Sequence, residues 1–159
     1  MKELLITGAW RCGEQQVQAL EQMGYAVTFW PDERQAVNMD TRRFEAVICG
    51  GLFLTTPIER FPALKCIQVT SAGLDRVPLD YCKAHGIIVY NAGGVYSAPM
   101  AELVLGGILQ LYKESKFFAE NQAAHRWEKH RGLRELSGKT ACIIGTGSVG
   151  SAIARRLRA

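Results

Sequence analysis

The sequence has 159 residues, of which 48% are hydrophobic and 21% are charged, and its formal net charge is +4. This apolar fraction is ordinary for a globular protein and argues against intrinsic disorder. No apolar run approaches the roughly 18 residues that a membrane-spanning helix needs, and the apolar stretch after Met1 is too short for a signal peptide. Length alone favours one domain, but the motifs below predict two.

The positive charge is concentrated towards the end of the chain. Residues 1–112 carry nine basic and eleven acidic side chains, whereas residues 113–159 carry ten basic and four acidic ones. The basic residues alternate with glutamates, and no set of aromatic residues suited to base stacking accompanies them. We therefore expect solvated helix faces and no nucleic-acid partner.

Five cysteines, at positions 12, 49, 66, 82 and 142, show no CxxC spacing. Cys49, Cys66 and Cys142 lie in apolar runs, where a thiol behaves as a small buried hydrophobe. With only three scattered histidines besides, neither a disulfide framework nor a metal site is expected. A reducing cytoplasm is the predicted location.

Short apolar runs rich in β-branched and aromatic residues recur along the first 90 residues. They are Leu4–Ile6, Ala26–Phe29, Ala46–Cys49, Cys66–Val69 and Ile87–Tyr90. Continuous apolar strands that alternate with helical segments indicate a parallel sheet covered on both faces. We predict that residues 1–97 form an α/β domain, a flavodoxin-like doubly wound parallel sheet built from five βα units.

A long apolar helix is predicted after the glycine-containing loop at 91–97. Ser97 and Pro99 are typical of a helix start, and the segment from Ala101 to Tyr112 is apolar nearly all round. Such a helix is buried on more than one side, between domains or between subunits. Gly106 and Gly107 would permit close approach of another backbone. A more polar helical segment is predicted to continue through Trp127.

The last motif is rich in glycine. Lys139–Ile144 predicts a strand, residues 151–157 have helical spacing, and between them lie Gly145, Thr146, Gly147, Ser148, Val149 and Gly150. A GxGxxG motif in this setting is the dinucleotide-binding fingerprint, although an ordinary tight turn is the alternative. Residues 98–159 are thus predicted to be a hinge helix and the first βα unit of a Rossmann domain.

Each glycine of the motif has a physical role in that interpretation. Gly145 permits the tight turn, Gly147 lets the backbone approach a pyrophosphate, and Gly150 lets the helix pack close to the strand. The free amides at the helix start would bind the phosphates. The acidic residue that binds a ribose hydroxyl lies about 20 residues further on in such folds, beyond position 159. We therefore expect the sequence to be the amino-terminal part of a longer protein.

Several segments in this order resemble the D-isomer-specific 2-hydroxyacid dehydrogenases. They are Leu64–Ile67, Ser71–Asp75, Gly86–Asn91, Met100–Glu102, Trp127, Glu135–Thr140 and the glycine motif. The resemblance implies an oxidoreductase with a substrate domain joined to a Rossmann domain and an active site in the cleft between them. It also implies NAD or NADP as cofactor, a small 2-keto acid or D-2-hydroxy acid as substrate, and a homodimer formed through the helical region 98–118.

The resemblance also implies roles for particular positions. The amides of Ala72 and Gly73 would bind the substrate carboxylate, and Met100 would pack near the nicotinamide. Further substrate-binding positions are Gly50, Gly51 and Leu52 as the opposite wall, with Tyr96 and Ser97 at the hinge. The pyrophosphate loop would be Thr146 to Gly150, with Gly145 before it. Many members have Asn at the position of Tyr96, and a small residue followed by Val or Thr at the positions of Pro99 and Met100.

The family's catalytic Arg, Glu and His are expected beyond residue 159, so this chain is expected to be inactive alone and to bind cofactor weakly. His85, His125 and His130 are interpreted as surface groups, and Asp75 and Asp80 as turn and helix-start residues. One alternative is a non-catalytic truncated chain that binds or regulates a full-length relative. Another is a two-domain enzyme such as an adenosylhomocysteine hydrolase, against which the segments Ser71–Asp75 and Met100–Glu102 argue.

Overall fold

The structure is a computed structural model that describes residues 1–158, and the chain divides into two compact units, Met1–Gly93 and Gly94–Ala159. The first unit contains five strands and two α-helices: β1 (Lys2–Thr7), α1 (Glu14–Gln22), β2 (Tyr25–Trp30), β3 (Ala46–Cys49), β4 (Cys66–Val69), α2 (Leu79–Ala84) and β5 (Ile88–Tyr90). The second unit contains α3 (Ser97–Tyr112), α4 (Ser115–Ala123) and α5 (Ser148–Leu157). The domain boundary at 97/98 stays a prediction.

The five strands of the first unit form one parallel sheet in the order β2-β1-β3-β4-β5. This order is the flavodoxin-like arrangement, which confirms the predicted fold class. In β1 the consecutive residues Leu4, Leu5 and Ile6 are all at most 2% exposed. Successive side chains of a strand point to opposite faces, so β1 is buried on both faces, as its uninterrupted apolar sequence predicts.

The prediction of five βα units is wrong for two of the connections. Residues 31–45 contain no α-helix, and residues 50–65 contain only two short 3-10 turns, Leu52–Leu54 and Ile58–Arg60. Irregular chain replaces helices here because it carries apolar side chains into the core, among them Phe44 and Phe61. A hydrogen bond of 3.0 Å from the Val37 amide to the Thr56 hydroxyl joins the two segments.

In the second unit, α3 begins at Ser97 as predicted, but it is not enclosed within that unit. Ala101 is its one buried residue, whereas Leu103 and Leu111 are 77% and 73% exposed. Gly106 and Gly107 would meet no atom within 4 Å if either carried a Cβ, so the expected close backbone approach is absent from the described residues. No helix in residues 1–158 has the length and apolar character to cross a membrane.

Two further expectations in the second unit are corrected. The polar helical segment ends at Ala123 rather than reaching Trp127, and Glu114, in the left-handed conformation, separates it from α3. Lys139–Ile144 forms no strand, and Ile144 is fully exposed. A strand exists only where a neighbouring strand accepts its hydrogen bonds, and within residues 1–158 every strand belongs to the sheet of the first unit.

Candidate functional site

The glycine motif forms a tight turn that leads directly into α5. Gly145 has φ +96°, a conformation that side-chain-bearing residues avoid. A Cβ placed on Gly150 would lie 2.0 Å from the Gly145 carbonyl oxygen, whereas a Cβ on Gly147 would meet nothing within 4 Å. The turn therefore requires glycine at positions 145 and 150, and it leaves open space at Gly147.

The amino terminus of α5 has main-chain donors available at this turn. Gly147 is the N-cap residue, and the first bond of the helix runs from the Ser151 amide to the Gly147 carbonyl at 2.9 Å. The amides that precede Ser151 have no acceptor inside a helix, which makes such a terminus suited to anions. The Arg156 guanidinium, on the last turn of α5, donates to the Glu102 carboxylate of α3 at 3.0 Å.

Hydrogen bonds donated to its main-chain carbonyl groups fix the conformation of the loop after β4. The carbonyl of Ser71 accepts from the Ala92 amide at 2.9 Å, that of Ala72 accepts from the Asn91 side chain at 2.7 Å, and that of Gly73 accepts from the Ser71 hydroxyl at 3.0 Å. The amides of Ala72 and Gly73 make no hydrogen bond within residues 1–158. The loop thus has fixed carbonyls and two exposed donors that are free to bind an anion.

The loop after β3 differs, because its amides are already bound by a carboxylate of the chain itself. Glu33 accepts from the Gly50 amide at 2.8 Å and from the Gly51 amide at 2.5 Å, and it also accepts from the Thr7 hydroxyl. The Leu52 side chain is completely buried. Glu33 thus occupies the amides of Gly50 and Gly51, and Leu52 presents no accessible side chain. The predicted substrate wall at these three positions stays a prediction.

Sequence reasoning missed Glu33. The residue lies three positions after β2, and its contacts with Thr7 and Gly50 span 26 and 17 residues. The available signal was topological: in a 2-1-3 sheet the carboxyl ends of β2, β1 and β3 lie side by side. An acidic residue directly after any of these strands is therefore close to the loops that follow the other two.

Burial and the Glu33 carboxylate also act on the thiol that ends β3. Cys49 is 1% exposed. Burial, followed by the negative charge of Glu33, raises the pKa of Cys49 to about 12. This thiol therefore stays protonated and packs as a core side chain, in agreement with its predicted role. All five cysteines are free.

The remaining predicted site residues lie at the start of α3 or before it. Tyr96 and Met100 are each 47% exposed. Ser97 is the first residue of α3, and its buried hydroxyl has no hydrogen-bond partner among residues 1–158. These positions present side chains at one end of the helix, and their predicted contacts with substrate and nicotinamide stay predictions.

The histidines occupy three different settings. His85 is exposed and stacks on Tyr81 with ring centroids 3.8 Å apart, and His125 is also exposed. His130 departs from the expected surface position, because it is partly buried, its ring centroid lies 4.4 Å from that of Phe117, and its Nε2 lies 2.9 Å from the Glu114 carboxylate. No group of three His, Cys, Asp or Glu side chains in residues 1–158 is arranged to hold a metal ion.

A flavodoxin-like parallel sheet, followed by a glycine turn that opens a helix, defines the class: a doubly wound α/β protein. The match to a family model makes the assignment specific. Residues 5–150 match the D-isomer specific 2-hydroxyacid dehydrogenase, catalytic domain, and the chain belongs to this family. Its members are NAD(P)-dependent 2-hydroxyacid dehydrogenases.

Individual relatives agree with this assignment. The chain is 30% identical over 146 residues to a glyoxylate/hydroxypyruvate reductase A of Arabidopsis thaliana, which covers 88% of this chain and 47% of that protein. It is 38% identical over 104 residues to a glycerate dehydrogenase of Hyphomicrobium methylovorum, which covers 62% of this chain and 32% of that protein. The chain therefore spans about half the length, or less, of the curated relatives it matches.

Among solved structures, the NADPH-dependent glyoxylate/hydroxypyruvate reductase of Sinorhizobium meliloti in complex with NADP and malonate matches with a TM-score of 0.73 and 25% identity. The match covers 99% of this chain and 50% of that one. The D-lactate dehydrogenase of Aquifex aeolicus, complexed with NAD and lactic acid, matches with a TM-score of 0.76 at 23% identity, covering 98% of this chain and 48% of that one. This second likeness concerns the fold.

Proposed function

We propose that this chain supplies the substrate loop and the pyrophosphate loop of an NAD(P)-dependent oxidoreductase that interconverts a 2-keto acid and a D-2-hydroxy acid. The observation that carries the proposal is the turn from Gly145 to Gly150. Its two glycine requirements, its open space at Gly147 and its position at the start of α5 are those of a dinucleotide-binding turn. The family assignment supports the same reaction class.

The first unit supports the substrate half of the proposal. A 2-keto acid has a carboxylate that can be bound without a charged side chain, because fixed main-chain amides act as preorganised donors. The free amides of Ala72 and Gly73 supply such donors on a loop whose carbonyls are fixed by Asn91, Ala92 and Ser71. Their role is to bind and orient the acid.

The second unit supports the cofactor half. The amides at the start of α5 would hold the pyrophosphate, and the absence of a Cβ at Gly147 lets the backbone come close to it. Met100, by family resemblance, would pack near the nicotinamide. When bound, the nicotinamide supplies or accepts the hydride.

We further propose that a polypeptide of these 159 residues does not complete the reaction alone. Reduction of a 2-keto acid needs a proton donor within hydrogen-bond reach of the substrate oxygen. His85, the histidine of the first unit, precedes β5 and so lies at the sheet edge opposite the loop that follows β4. The proton donor is expected to be the family's His, paired with a Glu, outside this stretch of sequence.

The free thiols support a cytoplasmic location for the protein.

The substitution Gly147→Ala tests the proposed cofactor loop. Titration of the ¹⁵N-labelled chain with NADH or NADPH is expected to shift the amides of Gly145 to Gly150 weakly, with a dissociation constant on the order of 1 mM. In the variant these shifts are expected to disappear, because the added methyl group fills the space that the pyrophosphate needs. The melting temperature should change by less than about 5 °C, since the methyl group meets no protein atom.

Gly106→Ala is the matched control, because it also adds a methyl group in open space of the same unit but lies outside the glycine turn. It should leave the cofactor shifts unchanged. Equal cofactor affinity in Gly147→Ala and the unsubstituted chain would contradict the proposed loop. Neither form is expected to oxidise NADH or NADPH in the presence of glyoxylate.

A second candidate function rests on α3. Its exposed leucines, Leu103 and Leu111, present an apolar surface that a partner helix would cover. In a protein of the relatives' length we propose that the region 98–118 forms a homodimer. The alternative is a non-catalytic chain that uses this helix to pair with a full-length relative. Light scattering of the 159-residue chain alone tests the homodimer, and a monomer at high concentration would contradict it. Light scattering of an equimolar mixture with a full-length relative tests the alternative, which two unassociated species would contradict.

A further inference from the structure

The carboxylate of Glu33 lies where the strand order of the sheet reverses. In the order β2-β1-β3-β4-β5 this point lies between β1 and β3, and folds of this type bind ligands in the crevice at the carboxyl ends of those strands. Thr7 is the last residue of β1, Gly50 directly follows β3, and Glu33 accepts hydrogen bonds from both. An acidic side chain of the protein therefore occupies this crevice.

The contacts of Glu33 involve both carboxylate oxygens and the main chain. Oε1 accepts from the Gly50 amide and the Thr7 hydroxyl, and Oε2 accepts from the Gly51 amide. The Thr55 hydroxyl donates to the Glu33 carbonyl at 2.6 Å, which fixes the backbone of this residue. The hydrogen bonds thus connect the last residue of β1 with the segments that follow β2 and β3.

The charge of Glu33 is not neutralised by a basic side chain. Within residues 1–158 it forms no ion pair, so its hydrogen-bond partners are neutral amides and hydroxyls. Arg34, the next residue in the chain, pairs with Asp32 instead. Arg76 is also nearby, with its Cδ 3.7 Å from a Cβ placed on Gly51. Its side chain is 58% exposed and its Nε lies 4.0 Å from the Asp75 carboxylate, so water and Asp75 weaken its field. The crevice therefore keeps a negative charge.

This charge lies beside the loop that is proposed to bind the substrate. β3 and β4 are neighbours in the sheet, and the Thr70 hydroxyl lies 3.3 Å from a Cβ placed on Gly50. We propose that Glu33 is a positioning and specificity-determining residue, which fixes the Gly50–Gly51 wall and excludes substrates with a second anionic group. The preferred acids would have an uncharged substituent at this wall. The inference rests on the proposed function, because it assumes that the amides of Ala72 and Gly73 bind the carboxylate next to the hydroxyl-bearing or keto carbon of the substrate.

The selectivity is tested by titrating the ¹⁵N-labelled 159-residue chain with D-lactate and, separately, with D-malate at constant ionic strength. D-malate has the same 2-hydroxy acid group and one additional carboxylate. From the shifts of the Ala72 and Gly73 amides, D-lactate is expected to bind about tenfold more tightly, because like charges at short range repel in a partly buried crevice. In Glu33→Gln, which keeps the shape and removes the charge, the two affinities should become similar.

Glu21→Gln is the matched control, since it removes the same charge from an exposed position on α1. It should leave the ratio of the D-lactate and D-malate affinities unchanged. If Glu33 had only a structural role, Glu33→Gln would leave this ratio unchanged as well. An unchanged ratio in Glu33→Gln would overturn the specificity role. If neither acid shifts the amides of Ala72 and Gly73, the proposed substrate loop is wrong and the specificity role is wrong with it.

The positioning role has its own measurement, which needs no ligand. The Gly50 and Gly51 amides are expected to exchange with solvent at least about tenfold faster in Glu33→Ala than in the unsubstituted chain, because they lose their acceptor. Glu33→Gln should restore part of the protection, since its side-chain oxygen still accepts a hydrogen bond. Equal exchange rates in all three forms would overturn the positioning role, with circular dichroism confirming that each form is folded.

Discussion

Replacing Gly8 with alanine is expected to destabilise the first unit by about 3 kcal/mol. A Cβ at this position would lie 2.0 Å from the Pro31 carbonyl oxygen and 2.9 Å from its carbonyl carbon. The atoms that would have to move belong to the backbone. The Gly8 amide donates to the Trp30 carbonyl at 2.8 Å, so the chain after β1 and the chain after β2 cannot separate without losing this bond. Urea unfolding followed by circular dichroism measures the effect.

The control for this substitution is Gly106→Ala, where the new methyl group meets nothing within 4 Å. Because Gly106 lies inside a helix, alanine should leave stability unchanged or raise it by up to about 1 kcal/mol. The melting temperature of Gly8→Ala should fall by about 10 °C or more. If the urea midpoints of Gly8→Ala and the unsubstituted chain coincide, the backbone at Gly8 does not lie as close to Pro31 as described.

The substitution Gly150→Ala is expected to have a comparable effect in the second unit, at about 2 to 3 kcal/mol. The added Cβ would lie 2.0 Å from the Gly145 carbonyl oxygen and 3.3 Å from Cγ2 of Ile143. Gly145 is already in the left-handed conformation, which restricts how the turn can relax. The bond from the Ser151 amide to the Gly147 carbonyl, which is the first of α5, should therefore open, and the Ser151 amide should exchange faster with solvent.

The measurement is residue-specific hydrogen exchange, with Gly147→Ala, three residues before Gly150, as the matched variant. Gly147→Ala should preserve the protection of α5, whereas Gly150→Ala should remove it from Ser151, the first hydrogen-bonded amide of the helix. Signals of the first unit should not change in either variant. Protection of α5 that survives in Gly150→Ala would show that this glycine is not required by the turn.

The sheet could be predicted from the sequence because its signal is local. The runs at Leu4–Ile6, Ala46–Cys49 and Cys66–Val69 are short, continuous and rich in β-branched residues, which is the pattern of strands buried on both faces. The parallel sheet with flanking helices followed from their spacing. The glycine motif was equally local, since six consecutive residues specify its backbone conformation.

The features that the sequence did not reveal depend on distant partners. Residues 31–45 remain irregular because Val37 and Phe44 enter a core built by other segments, and no helical periodicity is needed for that. Lys139–Ile144 has the composition of a strand but finds no neighbouring strand in the described chain. Glu33 acts on Gly50, whose proximity depends on the order in which the strands assemble.

The fixed carbonyls of Ser71, Ala72 and Gly73 have a consequence for how substrate range could be altered by laboratory evolution. A contact made by main-chain amides is insensitive to the side chain at position 72, provided that Asn91, Ala92 and the Ser71 hydroxyl continue to bind the carbonyls. The proposed carboxylate binding should therefore tolerate many substitutions at position 72. Selection for new acids would act instead on neighbouring side chains, of which Glu33 and Arg76 carry charge, and the requirement for an acid would persist while the preferred acid changes.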